Sequence, residues 1–446
     1  MRLVLLIFCL FFYSENLYSK NIFNTKEFSL DNGLKVIVVE NKRAPVVSQM
    51  IWYKFGSSIE EIGKSGLAHF MEHLMFKGTK KFPKNYYSNF LSKIGGTENA
   101  FTSYDYTAYY QIFPSDKTEK IIEMEADRMK NLSLTKKMVE IEKKVILEER
   151  FQRVESDPSS LLDESMRSIL YPNSYYGRPI IGWKSEIEKL SYEDVIDFYK
   201  KNYSPNNAIL ILTGDITLKE AKKMVKKYYG DYKKLPNENN FIVKDPDIRT
   251  LVISEHTNRD IKQPIWKKLY RVNSYTESII NGIALDIGLR IILGGSTSIL
   301  YDNLVNQKKI FSMVGGFYQG LAKNGGYAYL YAIPVNDLST IEVNDILTKE
   351  IELAIDKKIM PDMLEVEKKK YFYSSIYRMD GIMKPAEIIG EALSVGLKIN
   401  DIKNWNKKVD KLKIEDIKKA LKAFLNNKNF VIGGLKNWNL FYIAFF

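Results

Sequence analysis

The sequence predicts two α+β domains of similar plan, and three observations carry that expectation. At 446 residues the chain is longer than one ordinary core, which favours two or more domains. It opens with strand patterns that give way to apolar helical segments. Between Leu235 and Asp247 lie Pro236, Pro246 and several Asn without periodicity, and beyond them the same order returns in outline. The expected division is a leader at 1–19, an N-terminal domain at 20–235, a linker at 236–247 and a C-terminal domain at 248–446.

In chain order, Glu27 to Leu30 and Leu34 to Glu40 are strand-like runs flanking Asp31-Asn32-Gly33, a hairpin signal because Gly takes the positive φ of a tight turn. Val46 to Tyr53 adds a third strand after Pro45. Helical patterns cover Ser65 to Phe76 and Tyr86 to Ile94, the second stopped by Gly95-Gly96. Phe101 to Phe113, rich in Thr and Tyr, reads as one extended strand, and helices follow near Lys117 to Asn131 and Lys136 to Glu155. Ala208 to Leu212 is a buried strand, and an amphipathic helix runs from Leu218 to Tyr229. In the second half, strands at Leu251 to Ser254 and Trp266 to Val272 lead into an apolar helix from Ser278 to Leu293. Strands return at Met313 to Phe317 and Tyr327 to Ile333, then long helices, then Phe430 to Ile432. The apolar end, Leu440 to Phe446, has no physical account in this scheme.

The first residues differ from the rest. Arg2 precedes an apolar run from Leu3 to Tyr13, and a polar stretch ends at Ser19, the pattern of a cleaved export signal. The run is too short to span a bilayer, and an uncleaved anchor is the alternative. Export to a bacterial periplasm is the expected location, with secretion as the alternative. The lone cysteine, Cys9, lies inside the run, so the processed chain has no disulfide, and a metal would need His and carboxylate ligands. Mean hydropathy of -0.25 argues against a polytopic membrane protein. The net charge of +12 can favour acidic partners, but the lysines are scattered, and no basic stripe or nucleic-acid motif appears.

Of the three histidines, two fall in His69-Phe70-Met71-Glu72-His73, within a helical pattern. Four residues apart, they project from one helix face and can hold one ion, with Glu72 at the flank as a general base. This inverts the H-E-x-x-H order and is itself a zinc-peptidase motif. A hydrolytic zinc needs a third protein ligand and an open position for water. Here that ligand must be a carboxylate or His256, which stands isolated among polar residues. On the helix from Lys136 to Glu155, Met138, Val139, Ile141, Glu142, Val145, Ile146 and Glu149 share an arc of roughly 160°. Two glutamates in an apolar stripe need cations or strong donors, and Glu148 sits at the edge of the arc.

These residues resemble the pitrilysin or insulinase-like metallopeptidases, which include the mitochondrial processing peptidase. There the inverted motif is followed about 75 residues later by a glutamate ligand, and Glu149 lies 76 residues after His73. The resemblance makes Glu149 the third ligand of one zinc ion and Glu142 the carboxylate that orients a ligating histidine. Gly95-Gly96-Thr97-Glu98-Asn99-Ala100-Phe101-Thr102 is similar to the family's edge strand, which takes a peptide as an added strand, and Asn99 and Ala100 are the positions carried over. The likeness runs over residues 24 to 434 and weakens in the second half. There Leu293-Gly294-Gly295-Ser296-Thr297-Ser298 resembles a glycine-rich helix junction. Many members follow it with an Arg and a Tyr that hold the substrate carbonyl; here those positions carry Val305 and Ser312.

The resemblance implies two sheet-and-helix domains closing around a clam-like chamber, a zinc endopeptidase for unfolded peptides or short polypeptides, and a related partner chain or a homodimer, with Tyr318 as a candidate substitute from this same chain. The competing expectation is a scaffold or binding subunit that keeps a metal site.

Overall fold

The computed structural model describes residues 24–236 and 243–437. The expected leader, the middle of the expected linker and the apolar C-terminal end lie outside the described residues.

The first sheet has the order β1-β2-β6-β3-β5-β4, formed by β1 (Thr25–Ser29), β2 (Lys35–Glu40), β3 (Val46–Tyr53), β4 (Thr97–Thr102), β5 (Thr107–Pro114) and β6 (Ala208–Gly214). β1 and β2 pair antiparallel around the Asp31-Asn32-Gly33 turn, where Gly33 has φ 89°. The stretch expected as one strand from Phe101 to Phe113 is a hairpin, broken between Thr102 and Thr107. Asp105 in that bend accepts from Tyr176 Oη at 2.6 Å and from the Lys323 backbone N–H at 3.0 Å. Partners far along the chain therefore hold the break.

The second sheet contains β7 (Ile253–Asn258), β8 (Ile265–Val272), β9 (Phe311–Gln319), β10 (Gly326–Pro334) and β11 (Phe430–Asn437), ordered β7-β11-β8-β10-β9. One parallel pair followed by three antiparallel pairs reproduces the arrangement β2-β6-β3-β5-β4 strand for strand. The fold is two α+β units of one plan.

The principal helices of the first half are α1 (Leu67–Leu74), α2 (Tyr86–Lys93), α3 (Thr118–Asn131), α4 (Lys136–Arg150), α5 (Pro158–Leu170), α6 (Tyr192–Asn202) and α7 (Leu218–Tyr229). Those of the second are α8 (Ile279–Leu293), α9 (Thr340–Leu353), α10 (Pro361–Asp380), α11 (Lys384–Ser394) and α12 (Ile414–Leu425). Strand alternation divides the first sheet into two apolar faces. Val36, Val38, Ile51, Tyr53, Leu210 and Leu212 face the helices of their own half. Ile37, Val39, Met50, Trp52, Ile209 and Ile211 instead join the core of the second half.

That second face is covered by α11, which comes from the far end of the chain. The second sheet is covered in return by α5 of the first half, whose Leu162, Met166 and Leu170 pack on Leu269, Val431 and Leu435. Each exchanged helix seats at a glycine. A Cβ on Gly390 would lie 2.1 Å from the Trp52 ring, and one on Gly433 would lie 2.3 Å from Met166 Sδ.

The helix expected from Lys136 to Glu155 is α4 followed by a π-helical turn, Phe151–Glu155, that leads into α5. Its buried residues are Val139, Glu142, Ile146 and Arg150. Ile141 and Val145, expected in the buried stripe, are 53% and 46% exposed. The helix packs against α1 and α6 along one narrow face, and the two glutamates point at α1.

Candidate metal centre

The helix that carries both histidines begins at Gly66, which has φ 88° and offers no side chain to cap the first turn. Glu60 supplies the cap from outside: its buried carboxylate accepts from Gly66 N–H at 3.0 Å and Ala68 N–H at 2.7 Å. Burial pushes that carboxyl up to about 8 despite the two backbone donors. A Cβ on Gly66 would meet the Ile181 carbonyl at 2.5 Å, so only glycine lets the 181–182 loop lie against the helix start. Arg150 fastens the same loop by donating to Gly182 O at 2.8 Å, and it grips Glu164 of α5 with two bonds of 2.9 Å. The helices bearing the histidines and Glu149 are thereby tied to one another through the 181–182 loop, and α4 is tied to α5.

His69 and His73 lie one turn apart and meet edge to face, with ring centroids 4.7 Å apart, and both Nε2 atoms turn toward α4. Glu149 Oε2 lies 3.3 Å from His73 Nε2 and 3.9 Å from His69 Nε2. For a tetrahedral ion with bonds of about 2.0–2.1 Å, ligand atoms stand roughly 3.4 Å apart, so this donor set fits a metal such as zinc. The His69, His73 and Glu149 donor atoms all fall within 4.8 Å of one another. Burial holds His69 down to about 3, which keeps its imidazole neutral as a ligand must be. His73 shifts upward: burial opposes its charge, but the Glu142 bond and the nearby Glu149, Glu142 and Glu72 carboxylates outweigh that. The pocket favours positive charge at this point.

Glu142 Oε1 lies 3.0 Å from His73 Nδ1, and its other oxygen pairs with Lys77. This is the contact that fixes which imidazole nitrogen faces the pocket. Glu148, one residue before Glu149, is exposed and accepts from Gln152 at 2.7 Å. His256 stands on β7 of the other sheet opposite Leu435 and is partly buried, away from the two histidines of the cluster.

Glu72 sits at the flank of the two histidines, and Thr102 Oγ1 donates to its Oε2 at 2.6 Å. Burial raises the Glu72 carboxyl above its ordinary value, with the Thr102 bond and His73 pulling the other way. Thr102 ends β4, whose outer edge is unpaired among the described strands. Asn99 is exposed on that edge, and its Oδ1 accepts from Ala100 N–H at 2.8 Å. His69, Glu72, His73, Asn99, Ala100, Thr102, Glu149 and Arg153 are among the residues lining one cleft of about 660 Å³. Arg153 holds the outer oxygen of Glu149 at 2.9 Å.

Residues 35–184 match the profile of insulinase (peptidase family M16), and residues 189–371 match that of the M16 inactive domain. The chain belongs to the M16 peptidase family. It is similar to the zinc protease PqqE of Helicobacter pylori, 29% identical over 363 residues that cover 78% of this chain and 79% of that protein. It also resembles the mitochondrial-processing peptidase subunit beta of Lentinula edodes, 24% identical over 93% of this chain and 90% of that one. The crystal structure of a protease from Helicobacter pylori superposes with a TM-score of 0.87 at 22% identity, covering 93% of this chain and 99% of that one.

Within this M16 chain every residue lining the cleft comes from the first half. Val305 packs into the apolar core of its own half, and Ser312 donates to Ile333 O at 3.2 Å. Tyr318, the expected substitute, is buried against Tyr275 and donates to Asn273 O at 2.7 Å. None of the three lines the metal cleft. Thr102, Glu60 and Arg150 are the residues of this site that the sequence did not single out; the signal for Thr102 was its place at the end of the quoted edge-strand motif.

Proposed function

We propose that this chain is a zinc-dependent endopeptidase for unfolded peptides or short polypeptides, with one zinc held by His69, His73 and Glu149. The observation that carries the reading is the convergence of the two Nε2 atoms and Glu149 Oε2 beside a carboxylate, Glu72, that is held by Thr102 and not by the metal cluster. A bound zinc ion supplies a Lewis acid for the scissile carbonyl and makes a neighbouring water acidic. Glu72 takes the proton of the attacking water and returns it to the leaving amine, while Thr102 keeps the carboxylate turned toward the cleft. Glu142 accepts from His73 Nδ1–H and so presents the Nε2 lone pair to the metal. The free edge of β4 at Asn99 and Ala100 grips an extended substrate by main-chain bonds, independent of its sequence.

The distance of Val305, Ser312 and Tyr318 from the cleft supports two refinements. Donors preorganised for a developing oxyanion are worth about 3 kcal/mol, roughly a hundredfold in rate. A related partner chain, or a second copy, is proposed to bring them; the resemblance to a protein named as a subunit points the same way. Purified zinc-loaded chain should cleave an unfolded peptide slowly, lose that activity to a chelator, and gain about a hundredfold when the partner is added. Full turnover by the isolated chain would sink the partner requirement and leave the peptidase reading standing. The second reading, a scaffold subunit that keeps a metal site, is favoured by the same missing donors; zinc bound without any cleavage, with or without a partner, would establish it.

Export to a bacterial periplasm is proposed from the run Leu3 to Tyr13, and no helix among the described residues is long and apolar enough to cross a membrane. N-terminal sequencing of the native protein should begin near residue 20, whereas an intact Met1 would mean an anchor or a chain that is not exported.

A further inference from the structure

Four carboxylates line the metal cleft, and each already has a partner in this chain. Glu72 accepts from Thr102, and Glu149 pairs with Arg153. Asp163 is held by Lys267 Nζ at 2.8 Å and by Tyr329 Oη at 3.0 Å, and Glu164 takes both bonds of the Arg150 fork. One cation on the same wall is different. Arg167, one turn beyond Asp163 and Glu164 on α5, forms no ion pair with an Asp or Glu among the described residues. Its neighbours are neutral rings: Tyr327 at 4.6 Å, Tyr104 at 5.2 Å and Tyr171 at 6.0 Å from the guanidinium carbon.

This cage has a chemical meaning. The guanidinium keeps its charge and its plane against these rings and donates to the Tyr327 and Tyr104 phenols, and because it carries five N–H donors, others remain for a carboxylate. Tyr104 comes from the β4–β5 bend and Tyr327 from β10 of the second sheet, so the cage is rigid and drawn from both halves. Arg167 is only partly buried and faces the cleft. A cation brought this far out of water without an anion is costly, and a bound carboxylate recovers that cost.

We propose that Arg167 is an anion subsite of the substrate cleft, so that the chain prefers peptides with an acidic side chain a few residues from the cleaved bond. This rests on the peptidase reading and adds the substrate class to it. The contacts of Lys267 and Tyr329 on Asp163 Oδ1 and of Arg150 on Glu164 weaken what the same wall offers a basic side chain.

The test uses zinc-loaded full-length protein and peptides that differ only in Glu, Gln or Lys, walked through the positions flanking the cleaved bond. At one position Glu should exceed Gln by about tenfold in kcat/KM, the size of one charge-assisted bond to a partly desolvated group. Lys should be the poorest there. Arg167→Gln should bring the Glu peptide down to the Gln peptide, and Arg167→Lys should keep part of the preference. A Glu to Gln ratio near one at every position in the wild-type chain overturns the proposal, with no variant needed. So does an undiminished ratio in Arg167→Gln. If no peptide is cleaved, calorimetric binding of the same peptides to Glu72→Gln decides: tighter binding of the Glu peptide supports the subsite while the peptidase reading fails, and equal binding overturns it.

Discussion

Glu72→Gln is expected to retain one zinc per chain and lose peptide hydrolysis by about three orders of magnitude, the middle of the range of general acid–base catalysis. The amide keeps the size of the side chain and still accepts from Thr102 Oγ1, so the cleft keeps its shape. It cannot take a proton at neutral pH. His69, His73 and Glu149 do not depend on it for position, because Glu142, Glu60 and Arg150 hold them from the other side. Metal analysis beside single-turnover cleavage checks this. Loss of zinc from that variant would mean that Glu72 is a ligand and the assignment of roles is wrong.

The complementary change, Glu149→Gln, is expected to empty the site. Apparent zinc affinities of structural sites correspond to about 10–16 kcal/mol over four ligands, so replacing one anionic ligand by a neutral amide costs roughly 3 kcal/mol, a hundredfold or more in affinity. The change also frees Arg153, which adds an unpaired cation beside the vacated position. Glu142→Gln should act more weakly, by about 10- to 100-fold, since it loosens His73 without removing a donor. Glu148→Gln should leave zinc binding unchanged, because that carboxylate faces Gln152. Competition titration against a chromophoric chelator orders the four proteins. A Glu148→Gln chain that fails to bind zinc would show that the helix register is misread.

The parts of this site that were legible in the sequence are those set by local geometry. Two histidines four residues apart on a helix face one way whatever surrounds them, and the glutamates at 142 and 149 share a face because seven residues are nearly two turns. The stripe around those glutamates was drawn too wide. Ile141 and Val145 are apolar by composition but stand in solvent, since periodicity ranks the faces of a helix without saying how broad its neighbour is. The matching strand orders of the two sheets were visible only as a repeated succession of elements. Contacts that join distant segments left no trace: Thr102 on Glu72, Glu60 on the start of α1, and the bend at Asp105 held by Tyr176 and Lys323 each depend on tertiary folding. Helices α5 and α6 were not read at all, and with α5 the wall that carries Arg167 was missed.

The exchange of α5 and α11 between the two sheets bears on how this molecule comes apart. Each sheet owns one lid and borrows the other, and each borrowed lid is locked over a glycine with no room for slippage. A polypeptide cut near residue 240 would leave Trp52 and Met50 bare on one fragment and Leu269 and Val431 bare on the other. Neither fragment could close its own interior. Although the topology is written twice, the cooperative unit is the entire chain, and the half without the metal motif guards the geometry of the half that has it. The second sheet is joined to Glu149 by α5, which packs on it and continues back through the π turn to the end of α4.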